Sequence, residues 1–226
     1  MLVNSRDQYE PQTLNDIIFG NEESKLRIYD IVTGAEPLPS SGKSAILLYG
    51  VYGTGKTTVA KMLPDAIENG RVGISANMPA EFIACQQGFN GPQVMDLISK
   101  ITNRSSINCS GLHYIIIDEV DNLTKQAQAS LKSALNGQRC IFILTTNNLS
   151  ILDKGMLDRC VLIEMNAGQG VQLLPLAKRI AEEMKVDVSD IELLPTVMAA
   201  NGSFRNLTHN VRRLIHRKAE PTNIIF

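Results

Sequence analysis

Gly50-Val51-Tyr52-Gly53-Thr54-Gly55-Lys56-Thr57-Thr58 follows directly on the apolar run Ala45-Ile46-Leu47-Leu48-Tyr49, and this junction decides the fold. The stretch fits G-x-x-x-x-G-K-[ST] at every fixed position. An aliphatic run that ends in glycines and opens into Val59-Ala60-Lys61-Met62-Leu63 reads as strand, tight loop and helix. Without Cβ atoms, Gly50, Gly53 and Gly55 let successive backbone N–H groups turn into one concavity, where a polyphosphate fits. The helix that starts at the loop adds its free amides and the positive end of its dipole. Lys56 is placed to reach the β- and γ-phosphates, and the Thr57 hydroxyl to ligate Mg²⁺. Tyr52, Thr54 and Thr58 complete the set of expected nucleotide contacts.

The second strong signal is Tyr114-Ile115-Ile116-Ile117-Asp118-Glu119. An unbroken β-branched run is what a central parallel strand, covered on both faces, requires. Its end delivers two carboxylates, and the resemblance to phosphate-loop ATPases implies Asp118 for the magnesium hydration shell and Glu119 to polarise the attacking water. The two motifs together predict a triphosphate gripped where two neighbouring parallel strands end. Cys140-Ile141-Phe142-Ile143-Leu144-Thr145-Thr146-Asn147 reads as a further buried strand, adjacent to the one bearing Asp118, with Asn147 projecting from its end to orient the water.

Composition limits the alternatives. The chain has 226 residues, 44% of them hydrophobic, ample for a buried core. Lys+Arg at 22 against Asp+Glu at 23 give a net charge of -1, so bulk charge draws it neither to nucleic acid nor to an anionic membrane. Its N-terminus lacks a signal-peptide apolar segment, and no run approaches the roughly 18 to 20 apolar residues that span a bilayer. The expectation is an intracellular protein, cytoplasmic or nucleoid-associated. Cys85, Cys109, Cys140 and Cys160 show no C-x-x-C spacing, so buried free thiols are expected rather than a zinc site or disulfides.

Local patterns predict the remaining elements. Helices are expected over about 22–33, 56–67 with a kink or break at Pro64 and an end at Asn69-Gly70, and 91–101. A short strand is expected over 72–77. Thr124 caps a helix that runs to Leu135. After Glu164 the strands stop, and three helices are expected over about 170–184, 189–200 and 204–218.

Several of these segments resemble the clamp-loader subunits of the AAA+ ATPases. Tyr9-Glu10-Pro11, followed by Thr13-Leu14, Asp16 and Gly20, is similar to the family's N-terminal adenine-side motif, with Glu10 where the family usually has Arg. The resemblance implies adenine contacts from Tyr9, Pro11 and Ile18. Leu123-Thr124, then Ala127-Gln128 and Leu131-Lys132, resembles the helix that faces primer-template DNA in that family, which makes Lys125 and Lys132 candidates for phosphate contact. Asn147 resembles sensor 1. Ser75 or Asn77 stands where a polar residue restrains the catalytic glutamate in some AAA+ proteins. Leu157-Asp158-Arg159-Cys160 resembles the Ser-Arg-Cys motif, with Asp158 in place of Ser. Arg159 is then the finger supplied in trans to a neighbour's γ-phosphate, and Asp158 is placed to pair with it. Gly202-Ser203-Phe204-Arg205 resembles sensor 2, with Arg205 on the nucleotide phosphates.

The resemblance implies an α/β P-loop NTPase three-layer sandwich with a parallel central sheet over 1–165 and a small α-helical lid over 166–226. The sequence stops short of the collar domain usual in that family. It implies an ATPase of DNA replication that uses ATP and Mg²⁺, assembles with itself or related AAA+ subunits, and acts on a sliding clamp and primer-template DNA. Two other readings stay open. One is an AAA+ helicase loader, replication initiator or protein-remodelling ATPase; the other is a nucleotide-regulated scaffold with little hydrolysis.

Overall fold

A computed structural model describes residues 11–76, 79–85, 90–166 and 170–219. The chain divides into two compact units. The larger comprises 22–50 and 56–165; the described part of the smaller comprises 11–21, 51–55, 166 and 170–219.

The larger unit is built on five strands: β1 (Ala45–Tyr49), β2 (Glu81–Ala84), β3 (His113–Asp118), β4 (Cys140–Thr146) and β5 (Cys160–Glu164). They form one sheet in the order β2-β3-β4-β1-β5, and every pairing is parallel. Burial on both faces explains the continuous apolar runs. Ala45, Leu47, Ile115, Ile117, Phe142 and Leu144 share one face and one core with α3 (Gly91–Thr102), α4 (Lys125–Ala134) and α5 (Lys154–Asp158). The alternate residues Ile46, Leu48, Ile116, Ile141 and Ile143 are equally buried and point to the other face, where α1 (Glu22–Thr33) and α2 (Lys56–Val72) pack. The result is the expected three-layer α/β sandwich.

β4 lies between β1 and β3, so the phosphate-loop strand and the carboxylate strand are not neighbours. This corrects the expectation of two adjacent strand ends, and it gives the end of β4 a place between the two motifs.

α2 also departs from the expectation. It runs unbroken through Pro64 to Val72, because Val59, Ala60, Leu63, Pro64 and Ile67 form a continuous buried face that offsets the hydrogen bond proline cannot make. Gly70 does not end it. A Cβ there would come within 2.5 Å of the Val32 carbonyl oxygen, so glycine is needed where α1 and α2 approach most closely. Gly73, at φ 74°, follows the helix instead, its N–H bonded to the Asn69 carbonyl at 2.9 Å. The strand expected over 72–77 is therefore absent among the described residues. The edge position is taken by β2, which pairs only with β3. Most of β2 is exposed, so its Glu-Phe-Ile-Ala sequence carries no long apolar run.

The smaller unit contains α6 (Leu174–Glu183), α7 (Asp190–Ala199) and α8 (Phe204–Ala219) around a core of Leu173, Ala177, Ile180, Leu193, Val197, Leu207, Val211 and Ile215. Ser189 and Glu192 form a reciprocal cap that starts α7. No helix among the described residues is long and apolar enough to cross a membrane.

Candidate active site

In the larger unit the candidate side chains gather at the C-terminal ends of the strands. Lys56 opens α2, is 7% exposed, and donates from Nζ to the Gly50 carbonyl at 3.0 Å. Next to it, the Thr57 hydroxyl donates to Asp118 Oδ1 at 2.9 Å. That oxygen also accepts the Thr145 hydroxyl at 2.6 Å, and Thr145 Oγ1 in turn accepts the backbone N–H of Glu119 at 2.9 Å. The pairing of Ile117 with Leu144 is what sets Asp118 level with Thr145.

Glu119 itself sits in the left-handed region, at φ 58° and ψ 53°. For a residue with a Cβ that conformation costs on the order of 1–2 kcal/mol, and strain of this kind collects at functional sites. The turn that follows holds it: Asn122 N–H donates to the Glu119 carbonyl at 2.9 Å, and Asn122 Nδ2 to Glu119 Oε2 at 3.1 Å. The buried Cys85 thiol nearby is pushed up to about 12, by burial first and then by the carboxylates of Asp118, Asp121 and Glu119. It stays protonated and is no nucleophile.

Asn147 follows β4, is half-buried, and its amide makes no hydrogen bond among the described residues. The adjacent Asn148 is occupied as a cap, accepting from Ser150 N at 3.0 Å and Ser150 Oγ at 2.7 Å. Of the two asparagines, Asn147 keeps its whole side-chain amide free of such a capping role.

The remaining candidates of this unit lie elsewhere on it. Lys125 is the first residue of α4, exposed and without an ion pair among the described residues. Lys132, on the same helix, is bound to Asp153 at 3.2 Å. Arg159 follows α5; its guanidinium bonds Asn136 and the Gly155 carbonyl, and no ion pair among the described residues joins it to Asp158. Ser75 falls in the loop after α2, while Asn77 lies outside the described residues.

In the smaller unit the middle of the phosphate loop is built against the start of α8. The Gly53 carbonyl accepts Phe204 N–H at 2.9 Å, and Gly53 has φ 78°. A Cβ on Gly53 would collide with Ser203 Oγ and come within 3.4 Å of Arg205 Cβ. Gly55 faces the Phe204 ring. Thr54 is buried and donates to the Val51 carbonyl at 3.1 Å; Val51 N–H donates to Asn166 Oδ1 at 2.8 Å. Tyr52 and Arg205 are exposed. Ile18 packs on the helical core, Pro11 is half-buried beside the short turn at 14–16, and Tyr9 lies outside the described residues.

A family model described as "ATPase family associated with various cellular activities (AAA)" matches residues 46–166. The chain belongs to the AAA family. It is similar to human replication factor C subunit 5, 27% identical over 88% of this AAA chain and 56% of that protein. It is also similar to the replication factor C large subunit of Methanosarcina mazei, 26% identical over 94% of this chain and 33% of the relative. For small subunit 2 of Pyrobaculum islandicum the figures are 26%, 88% and 59%. The chain thus spans between a third and three-fifths of these relatives. Among solved structures it is similar to the Thermotoga maritima RuvB Holliday junction branch migration motor, with a TM-score of 0.60 at 20% identity over 92% of this chain and 64% of that one. A variant of the same RuvB gives 0.65 over 91% and 64%. These likenesses show the fold.

The donor set of this AAA chain suits a hydrated magnesium ion. The described residues hold no group of three or more His, Cys, Asp or Glu arranged for a metal. One hydroxyl and one carboxylate, Thr57 and Asp118, face each other at the strand ends, and magnesium is commonly held by one or two such oxygens together with phosphate and water. Sequence reasoning missed Thr145 and Asn122. Both are small polar residues beside the motifs: the strand order brings Thr145 to Asp118, and the tight turn after β3 folds Asn122 back onto Glu119.

Proposed function

We propose that this chain is an ATP-hydrolysing, clamp-loader-like subunit of DNA replication, coupling ATP binding and hydrolysis to assembly on a sliding clamp and primer-template DNA. The observation that carries the proposal is the meeting of Thr57 and Asp118 at 2.9 Å, beside a Glu119 held in a left-handed turn. It joins the phosphate-loop helix to the carboxylate strand.

In this reading Gly50 to Thr58 cradle the phosphates with backbone N–H groups, and Lys56 supplies a buried positive charge to them. Thr57 and Asp118 hold the magnesium ion, which when bound neutralises charge on the phosphate oxygens. Glu119 and Asn147 orient the attacking water, with Glu119 as its base. Tyr9, Pro11 and Ile18 are assigned to contact the adenine, and Arg205, from the helical lid over 166–226, to contact the phosphates. Arg159 completes a neighbouring subunit's site in trans, so the working form is an oligomer with itself or related AAA+ subunits. The protein acts inside the cell, in the cytoplasm or at the nucleoid.

ATP turnover, measured alone, with primer-template DNA and with a sliding clamp, tests the proposal. Stimulation by primed DNA and clamp is expected. Turnover indifferent to both favours a helicase-loading or protein-remodelling ATPase; no turnover under any condition, partner subunits included, favours a scaffold. Lys56→Ala is expected to abolish nucleotide binding. Glu119→Gln preserves binding and slows hydrolysis by about 10²–10⁴-fold, the usual weight of a general base.

A further inference from the structure

We propose that Thr145 is a positioning residue that couples the side chain of Asp118 to the backbone of Glu119, a role that rests on the ATPase reading above. Thr145 is the penultimate residue of β4, lies beside Asp118 and is 1% exposed. A threonine hydroxyl has one proton to donate and two lone pairs to accept with. Here one lone pair takes the Glu119 N–H at 2.9 Å, and the proton goes to Asp118 Oδ1 at 2.6 Å. An ionised carboxylate can only accept, so the direction of the hydroxyl is fixed from both sides.

The consequence is a division of labour within Asp118. Oδ1 is tied down by two hydroxyls from different elements, Thr57 of α2 and Thr145 of β4, and Oδ2 lies outside both bonds. The same Thr145 oxygen anchors the backbone of the next residue where it leaves the strand in a left-handed turn. One hydroxyl thus fixes the side chain of the metal-side acid and the main chain of the water-side acid. β4 lies directly beside the acidic strand, so its Thr145 hydroxyl meets both acidic residues, whereas Thr57 bonds the Asp118 side chain. Thr145 touches no reacting atom in this arrangement; it acts through Asp118 and Glu119.

Thr145→Val keeps the shape and removes the hydroxyl, and Thr145→Ser restores it. In the full chain with its partner subunits, the valine variant is expected to bind a fluorescent ATP analogue without Mg²⁺ as the wild type does. It should need more Mg²⁺ for half-maximal turnover and turn over roughly 10- to 100-fold more slowly, the usual effect of losing a supporting group around a metal site. The serine variant should return close to wild type in both. In the nucleotide-free chain the Glu119 amide should exchange with solvent faster in the valine variant and stay protected in the serine one. Should valine prevent folding, Thr145→Ala carries the same expectations. Wild-type Mg²⁺ requirement, turnover and amide exchange in the hydroxyl-free variants would overturn the proposal, as would a serine variant that recovers none of them. If the wild type binds no Mg-ATP in any assembly, the ATPase reading fails. The exchange of the Glu119 amide, measured without nucleotide, still decides whether Thr145 holds that turn.

Discussion

Arg159 donates from Nε to Asn136 Oδ1 at 2.8 Å. The same guanidinium reaches the Gly155 carbonyl with Nη1 at 2.6 Å. The side chain assigned to a neighbour's phosphate is therefore engaged by its own subunit, through the residue just past the helix that carries Lys125 and Lys132. Asp158 is adjacent in sequence, but the guanidinium takes neutral acceptors.

Arg159→Ala is expected to leave nucleotide binding by the isolated subunit unchanged and to cut turnover of the assembled oligomer by about 10³-fold or more, the scale of a lost arginine finger. Asn136→Ala removes one of the two competing acceptors, at an exposed position, and leaves the Gly155 carbonyl. It should raise turnover at low subunit concentration or leave it at the wild-type level. Parallel ATPase titrations against subunit concentration check both, and unchanged turnover in assembled Arg159→Ala would refute the finger assignment.

Gly53 combines a left-handed backbone with a side-chain obstacle, at φ 78° against Ser203 Oγ. Gly53→Ala should lower unfolding free energy by about 2 kcal/mol and weaken nucleotide binding. Made in a Ser203→Ala background, where the obstacle is gone, the same change should cost nearer the ~1 kcal/mol of the backbone strain alone. Urea unfolding of the four proteins measures the difference.

Lys125 and Lys132 lie on one helix but are not equivalent. Lys132 is committed to Asp153 at 3.2 Å, whereas Lys125 has no ion pair among the described residues. Lys125→Ala should therefore weaken primer-template binding more than Lys132→Ala, and reduce the slope of log affinity against log salt by about one. Equal effects from the two would show that the Asp153 pair opens on binding.

Glu192 is held at about 2, below its ordinary value of 4.5, by Lys218 first and then by the backbone and hydroxyl of Ser189. Its contacts are Lys218 Nζ at 2.7 Å, Ser189 N at 3.0 Å and Ser189 Oγ at 2.8 Å. The unfolded chain binds this proton more readily than the folded one, so stability rises with pH through this window. The contribution is complete above about 4.5 and is lost as pH falls toward about 2. Melting temperatures of wild type and Glu192→Gln should differ most near neutrality and converge as the pH is lowered. A gap that stays constant down to pH of about 2 would exclude this linkage.

What the sequence determined by itself was local. The glycine spacing from Gly50 to Gly55, the isoleucine run before Asp118-Glu119 and the amphipathic helices past Glu164 each carry their own signature of turn, buried strand or helix face. They were legible because backbone conformation and burial on two faces are written in neighbouring residues. Tertiary structure alone decided which elements meet. That β4 stands between β1 and β3, that Gly70 is a contact point rather than a helix end, that Thr145 bridges Asp118 and Glu119, and that Arg159 rests on Asn136 all depend on pairings of residues far apart in the chain. Hydrophobic periodicity reports which face of an element is buried; it does not report what lies against that face.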